Sequence, residues 1–158
     1  MPVIDMAIAR HHLREPEDDD AYLVGLLEAA ETSAADYLQR RFYADADDLA
    51  AARMLVPATR AAARTAFETA RQQAEEISDG EDRQAALADA ERVRRETLDQ
   101  CEAVAQGIVI NPAIQAACLL TLGHLYANRE DVVVGTITAQ MPIGATALLT
   151  PYRVGWGV

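Results

Sequence analysis

Apolar residues recur at intervals of three and four along most of this chain, a pattern that predicts helices rather than strands. The clearest case runs from Tyr22 to Phe42, an amphipathic pattern of about six helical turns. Ahead of it, Asp5 can cap a short helix that continues through about His12. The acids at 17–20 stand where the long helix begins, and carboxylates there accept free backbone N–H groups and complement the helix dipole. A metal-binding loop is the alternative, but the acids lack the ligand spacing and glycine of a calcium loop.

Residues 48–107 form a stretch rich in alanine, glutamate, arginine and glutamine, with one break at residues 78–81. Small and apolar side chains keep a spacing of three and four on both sides of the break, which predicts an antiparallel helical hairpin. Because alanine dominates the seam, we expect the helix axes to lie near the low end of the roughly 8 to 10 Å range. The predicted seam comprises Ala63, Phe67, Ala70, Ala74 and Ile77 on the first helix and Ala86, Ala90, Val93, Thr97, Cys101, Val104 and Ile108 on the second.

A third helical pattern, from Asn111 to Asn128, is apolar on every face. Asn111 is suited to the N-cap and Pro112 to the first helical position, where a missing N–H costs nothing. A helix of this kind is either central in its own domain or sandwiched between subunits. Beyond it, the β-branched run at 132–134 and the alternation at 136–138 predict short β segments. The prolines and glycines that follow predict an extended tail.

Composition narrows the classes of function. The 158 residues include 25 acids and 14 basic residues, all of them arginine, for a formal net charge of −11. That balance disfavours sequence-specific nucleic-acid recognition and anionic membrane surfaces, both of which require basic patches. It is compatible with a wall that repels passing DNA. No window approaches the roughly twenty apolar residues of a membrane span, and the unpaired spacing of Cys101 and Cys118 favours buried thiols in a reducing cytoplasm.

Candidate catalytic or metal-binding chemistry is sparse. His11 and His12 are adjacent on a short helix, which separates their side chains by about 100° and makes joint metal binding awkward. His124 lies within the most apolar helix, where a hydrogen-bonded core or interface histidine is the common case. We therefore predict no enzyme activity, no cofactor and no metal. A helical enzyme or metalloprotein that uses His11, His12 and nearby acids remains an alternative, which metal analysis would test.

The N-terminal and C-terminal parts of the chain carry a series of sequence features in a fixed order. A short helix, acids and a long helix come first; later, a proline-started helix ends in an aromatic residue and Asn-Arg-Glu, and a segment of the form P.G...LL.PYR follows. These pieces, in order and over roughly two thirds of the chain, resemble the head-tail connector (adaptor) proteins of long-tailed, siphovirus-like phages. The stretch at 48–107 departs from the pattern, being longer than the expected connection. The residues that carry the resemblance are Leu13, Asp20, Leu23, Leu27, Ala30, Tyr37, Pro112, Ala117, Leu120, Leu122, His124, Tyr126, Asn128, Arg129, Glu130, Pro142, Gly144, Leu148, Leu149, Pro151, Tyr152 and Arg153.

The resemblance implies one connector-like domain with an all-α fold. Its helical core would comprise residues 1–47 and 108–131, with residues 48–107 as an inserted hairpin. Residues 132–158 would form an extended arm with short β segments, called the C-terminal arm below. The family role implies a homo-oligomeric ring of about twelve subunits at the head-tail joint of the virion, made in the bacterial host cytoplasm. The ring would bind the portal above and the next connector, stopper or tail protein below, while double-stranded DNA passes through without sequence recognition.

We predict that the C-terminal arm engages the portal or an adjacent subunit, since aromatic residues and arginine are frequent interface hot spots. Arg129 and Arg153 would pair with acids on neighbours; for Arg129, a charge interaction with its own helix end is an equal alternative. A free-standing helical interaction protein, such as a phage assembly chaperone or regulator, is the rival function. The predicted interface residues are Arg129, Leu148, Leu149, Pro151, Tyr152, Arg153 and Trp156, with Leu148, Leu149, Tyr152 and Trp156 as the buried anchors.

Overall fold

The computed structural model describes residues 2–14, 20–128 and 142–155, and most of these residues are helical. This confirms the predicted all-α helical bundle. The chain divides into two compact units, residues 1–46 with 107–158 (the core unit) and residues 47–106 (the hairpin unit). In chain order the described elements are α1 (Met6–Leu13), α2 (Asp20–Leu38), β1 (Phe42–Tyr43), α3 (Ala46–Glu75), α4 (Gly80–Ala105), β2 (Ile108–Val109), α5 (Pro112–Ala127), α6 (Ile143–Leu149) and a 3-10 turn (Thr150–Tyr152).

The N-terminal helix forms as its cap predicts. The Asp5 carboxylate accepts a hydrogen bond from the backbone N–H of Ala7 at 2.8 Å, and α1 ends at Leu13, followed by Arg14 in the left-handed region with φ 59°. Helix α2 begins at Asp20. The capping role predicted for the acids at 17–19 falls outside the described residues.

Helix α2 is shorter than the sequence pattern predicts. The amphipathic spacing runs to Phe42, but α2 ends at Leu38 and Gln39 adopts a left-handed φ of 55°. Phe42 instead lies in β1, which pairs in parallel with β2. The Ile108 N–H donates to the Arg41 carbonyl at 2.9 Å. The helical extension to Phe42 was therefore wrong, because a non-local strand pair takes up these backbone groups.

Helix α5 is the centre of the core unit. The Asn111 side chain accepts hydrogen bonds from the N–H groups of Ala113 and Ile114, each at 3.0 Å, which confirms the predicted cap. Helices α1, α2 and α6 all pack on α5. Of the two alternatives that the sequence left open, the structure shows the central position. Only Leu120 among the large apolar residues of α5 stays substantially exposed, at 42%. The buried residues of α5 are Ile114, Ala117, Cys118, Leu119, Thr121 and Leu122.

A buried carboxylate fixes the N-terminal segment to α2. Glu31 is 8% exposed, and its side chain accepts hydrogen bonds from the N–H groups of Val3 and Ile4 at 2.8 to 3.0 Å. These bonds satisfy both the carboxylate and two backbone donors away from water, which a buried polar group requires. The segment before α1 is thereby held against the core.

The C-terminal arm is not extended where the structure describes it. Residues 143–149 form α6 and residues 150–152 a 3-10 turn, so the extended prediction is wrong for this part. Apolar side chains at helical spacing, including Ala145 and Leu149, meet α5. Pro142 and Pro151 stand at helix starts, where no N–H is needed. The β segments predicted at 132–134 and 136–138 fall outside the described residues.

The hairpin unit consists of α3 and α4, as predicted. Asp79 caps α4 by accepting from the N–H groups of Glu81 and Asp82 at 2.8 and 3.0 Å. Near the other end, the Arg60 guanidinium donates to the Glu102 carboxylate at 3.1 Å, which establishes the antiparallel register.

The Cα atoms of α3 and α4 rarely come within 8 Å of each other. The two helix axes are therefore farther apart than the sequence predicted. The Arg94 guanidinium lies over the Phe67 ring at 4.7 Å. This large pair occupies the seam where the sequence pattern suggested contact between alanines.

Candidate interaction surfaces

The Leu-Leu-Thr-Pro-Tyr-Arg segment of the C-terminal arm packs on its own chain. The hydroxyl groups of Tyr37 and Thr150 lie 3.1 Å apart in a hydrogen bond, and the Arg153 guanidinium stacks over the Tyr37 ring at 4.9 Å. The Val154 N–H donates to the Leu38 carbonyl at 3.1 Å. The segment therefore closes over the C-terminal end of α2.

These contacts change the set of candidate interface residues. Leu149 is fully buried in the core unit, so its predicted role as an anchor in a partner is wrong: its side chain already fills a pocket of its own subunit. Leu148 and Tyr152 are partly buried against the same core, while Pro151 and Arg153 are exposed. Partner contacts at these four positions stay a prediction. Arg129 and Trp156, also predicted at the interface, lie outside the described residues.

An apolar patch that the sequence reasoning missed lies at the start of α6. Ile143 is 89% exposed, and Leu120 of α5 is 42% exposed. The Leu120 side chain reaches to within 3.7 Å of the position that a side chain at residue 144 would occupy, which places Leu120 next to the residue that follows Ile143. An almost fully exposed isoleucine near a partly exposed leucine is a candidate contact point for a partner.

An open groove runs along the hairpin unit. Its larger section has a volume of about 560 Å³ and its smaller section about 260 Å³, and Thr97 lines both. The larger section contains all of the predicted seam residues from 63 to 97, so the sequence pattern located the face correctly. What it missed is that α3 and α4 leave this face uncovered. The groove, called the hairpin groove below, is lined mainly by Ala52, Leu55, Val56, Thr59, Ala63, Ala66, Phe67, Ala70, Ala74, Ile77, Ala86, Ala90, Val93, Thr97, Cys101 and Val104.

Charge is concentrated away from this groove. The hairpin turn carries a cluster of exposed acids, Glu75, Glu76, Asp79, Glu81 and Asp82. On α3 the arginines at 53, 60, 64 and 71 repeat at intervals of seven and four, which puts them on one side of the helix. None of the four lines the groove. The hairpin unit thus has an acidic tip, one charged side and one mostly apolar side.

His12, His124 and Cys118 are engaged in packing, hydrogen bonds or burial within the fold. The side chain of His12 lies over Gly123 of α5. The Asn128 amide donates to the His124 carbonyl at 2.8 Å and lies 3.3 Å from the His124 ring nitrogen Nδ1, which closes the end of α5. Burial, with a smaller contribution from the Glu31 carboxylate, raises the pKa of Cys118 to about 12. Across the described residues, no three His, Cys, Asp or Glu side chains converge as a metal site.

No helix in the described part of the chain combines the length and hydrophobicity that crossing a bilayer requires. Comparison of the chain with protein-family models, with curated proteins and with solved structures finds no match. Functional inference for this protein therefore depends on its residues, its fold and the resemblance described above.

Proposed function

We propose that this chain is a structural virion protein, a head-tail connector that forms an oligomeric ring of about twelve copies between the portal and the next connector, stopper or tail protein. The observation that carries the proposal is a division of the molecule. The pieces that resemble the connector family, namely α1, α2, α5 and residues 142–153, belong to one compact unit, whereas the stretch that departs from the family forms a unit of its own. Such a division favours an insertion: the hairpin unit is added to a connector-like unit that stays compact without it.

In this proposal, the P.G...LL.PYR segment of the chain has two roles. Leu149 and Tyr37 fix the ending to the core unit, as their burial and hydrogen bonding require. The neighbouring exposed groups Ile143, Pro151 and Arg153 are left to meet the portal or an adjacent subunit. Arg153 already stacks on Tyr37 with its guanidinium, and a stacked guanidinium keeps donors free for a carboxylate on a neighbour.

The charge of the chain supports the passage of DNA without binding. With a formal charge of −11, acids outnumber arginines, and a wall of that sign does not hold phosphates. The exposed acids at the hairpin turn are one group suited to such a wall. Replacing Glu75, Glu76 and Glu81 by glutamine and Asp82 by asparagine, with the capping residue Asp79 retained, would test this: slower DNA ejection is expected, and unchanged retention and ejection would contradict the assignment of these acids.

The direct test is electron microscopy of particles produced when the gene is deleted from its parent phage or prophage. DNA-filled or leaking heads beside separate, complete tails are the expected result, and wild-type protein supplied in trans should restore joining. Intact tailed particles would overturn the connector proposal.

A point variant supplied in trans to the deletion strain tests whether Ile143 lies at the interface. Ile143→Arg should fail to restore joining, because it places a charge in the middle of an apolar contact. Ala29→Arg on α2, a matched addition of arginine at another exposed position, should restore it. Circular dichroism of both purified variants checks that each remains folded, and equal rescue would exclude Ile143 from the interface.

The rival function is a phage assembly chaperone or regulator, and the uncovered hairpin groove is the observation that favours it. The two functions differ in where the protein ends up. A connector remains stoichiometrically in purified virions, whereas a chaperone leaves before the particle is complete. Quantitative mass spectrometry of wild-type particles distinguishes them, and absence of the chain from infectious particles would favour the chaperone.

A further inference from the structure

The hairpin groove has no covering layer within its own unit. In the hairpin unit, all of whose 60 residues are described, only Val56, Ala74 and Cys101 are buried. Val93 and Leu55 remain 52% and 66% exposed at the groove. Two helices alone rarely bury enough apolar surface to be stable, since most helical stability comes from packing of the apolar face. A further layer over the groove would supply that packing.

The polar side chains of the groove would keep their hydrogen bonds if a partner covered them. Thr59 and Thr97, which line it, donate their hydroxyl groups to the carbonyls of Leu55 and Val93 at 3.1 and 2.9 Å within their own helices. Their hydroxyl hydrogens are therefore already bonded and would not be orphaned if a partner covered them. The two glutamines of the groove, Gln73 and Gln100, are exposed, so their long amides can stay in water at the rim.

The charged groups of the groove are neutralised locally. Asp89 pairs with Arg92 at 3.3 Å, and Arg94 stacks on Phe67 and lies 4.0 Å from a Glu91 carboxylate oxygen. Every α3 residue that lines the groove is uncharged. A partner laid against the α3 wall therefore meets no unpaired charge.

We propose that a second copy of this chain occupies the groove, with the two hairpins face to face as a four-helix bundle. Charge restricts contact between like copies to this face. The hairpin unit carries eight arginines and thirteen acids, a net charge of −5, so copies repel one another over most of its surface. The groove is lined by one acid, Asp89, and one arginine, Arg94, so its own charges balance and repulsion between copies is weakest there.

The size of the groove favours a second hairpin over a lone helix. From Ala52 to Ile77 the groove extends about 38 Å at 1.5 Å per residue, and two helices side by side are about 20 Å across. Two such faces in contact bury about 760 Å² on each partner, or about 1,500 Å² in total, which is the size of a standard stable interface. A lone helix covers about half of that, below the roughly 1,000 Å² that a specific interface needs.

Face-to-face pairing uses the same surface on both copies, so it is a two-fold contact. Such a contact cannot join neighbours around a cyclic ring. The pairing therefore describes the free protein, and it does not depend on the connector proposal. Its failure would leave the deletion phenotype of the gene unaffected, so the two proposals fail separately.

The test is the mass of the full-length chain by size-exclusion chromatography with light scattering. At about 100 µM, above the micromolar range in which a weak interface of this size dissociates, we expect a dimer of about 34 kDa from the 17.1 kDa chain. Ala66→Glu, in the groove wall, should weaken association by about a hundredfold or more, because it buries an unpaired charge. Ala61→Glu is the matched control: Ala61 is exposed on the same helix but does not line the groove.

Cross-linking tests the two-fold arrangement. Ala66 lies near the middle of the groove, where a two-fold axis brings a residue close to its own counterpart. Ala66→Cys should form a disulfide-linked dimer on mild oxidation, and Ala61→Cys should not. Wild-type chain gives the background from the buried Cys101 and Cys118. A monomer at all concentrations, an assembly that Ala66→Glu leaves intact, or equal cross-linking of both cysteine variants would overturn the proposal.

Discussion

The two units of this chain are built from the same kind of alanine-rich helix and differ in how much covers it. Helix α5 is apolar on all faces, and three helices pack on it. Helices α3 and α4 carry an apolar face just as regular in spacing, yet most of that face is open. The comparison shows that a helix's pattern specifies which side seeks burial, whereas the number of elements packed on that side decides whether burial occurs.

The difference has an energetic consequence. In the core unit, apolar side chains such as Leu27 and Leu122 have no exposure, and polar groups such as Glu31 are satisfied in the interior. In the hairpin unit, the ionic interaction that joins α3 to α4, between Arg60 and Glu102, is exposed to solvent. We therefore expect the core unit to resist perturbation of its environment and the hairpin unit to respond chiefly to partners.

The largest expected contrast concerns the two cysteines, one in each unit. With the pKa of Cys118 raised by burial from 9.0 to about 12, its thiolate fraction at pH 8 is about a thousandfold lower than that of an ordinary cysteine. Cys101 lines the open groove and becomes accessible when the hairpin opens locally. We expect a thiol reagent to modify Cys101 long before Cys118.

Timed labelling with mass spectrometry, repeated on Cys101→Ser and Cys118→Ser, measures this contrast. Equal labelling rates in the native chain would contradict the difference in cover between the units. Because the native pKa of Cys118 exceeds the unfolded value, the unfolded chain loses this proton first as pH rises. The stability that comes from Cys118 is complete below about pH 9 and decreases from there toward about pH 12.

The next contrast compares two truncations of apolar side chains. Leu122→Ala empties a fully buried site and should lower the free energy of unfolding by about 2 to 5 kcal/mol. Val93→Ala removes a side chain that is 52% exposed, and its small loss is offset by the better helix propensity of alanine, so a change below about 1 kcal/mol is expected.

Urea denaturation followed by circular dichroism measures both truncations, provided that the m-values agree with that of the wild type. Hydrogen exchange with mass spectrometry then assigns each change to its unit. Measurements belong at protein concentrations low enough to keep the chain monomeric, because a partner over the groove would increase the cost of Val93→Ala. A cost for Val93→Ala in the monomer as large as that for Leu122→Ala would show that the groove is closed in solution.

The smallest contrast compares two glutamates. Glu31→Ala leaves the N–H groups of Val3 and Ile4 without their acceptor, which should cost about 1 to 3 kcal/mol. Glu102→Ala breaks an ion pair whose side chains are 43% and 57% exposed, so water screens the loss and less than about 1 kcal/mol is expected. Thermal unfolding compares the two, and faster hydrogen exchange at residues 3 and 4 should accompany Glu31→Ala only. A larger loss for Glu102→Ala would contradict the assignment of stability to the core unit.

Local signals in the sequence predicted much of what the structure shows. The caps predicted at Asp5 and Asn111 each depend on residues two or three positions away, and helical periodicity depends on residues three and four away. For this reason the all-α class, the hairpin with its turn and the face of its seam were all predictable.

Features that depend on distant residues were not predictable in this way. Helix α2 stops before Phe42 because Ile108 and its neighbours pair with that segment. Leu149 is core and not an anchor for a partner because α5 lies beneath it. The prolines of the C-terminal arm predicted an extended chain, but each occupies a helix start, and the contact with α5 made those helices form.

The sequence by itself thus determined the helices, their caps and the side of each helix that is apolar, because these properties follow from neighbours within one or two turns. Only the tertiary structure decided which apolar sides are covered, since cover depends on elements that lie far apart in the chain. Three helices pack on α5, whereas within the hairpin unit α3 and α4 face only each other, at a distance. The uncovered hairpin groove, the main candidate interaction surface, is the direct result of that difference.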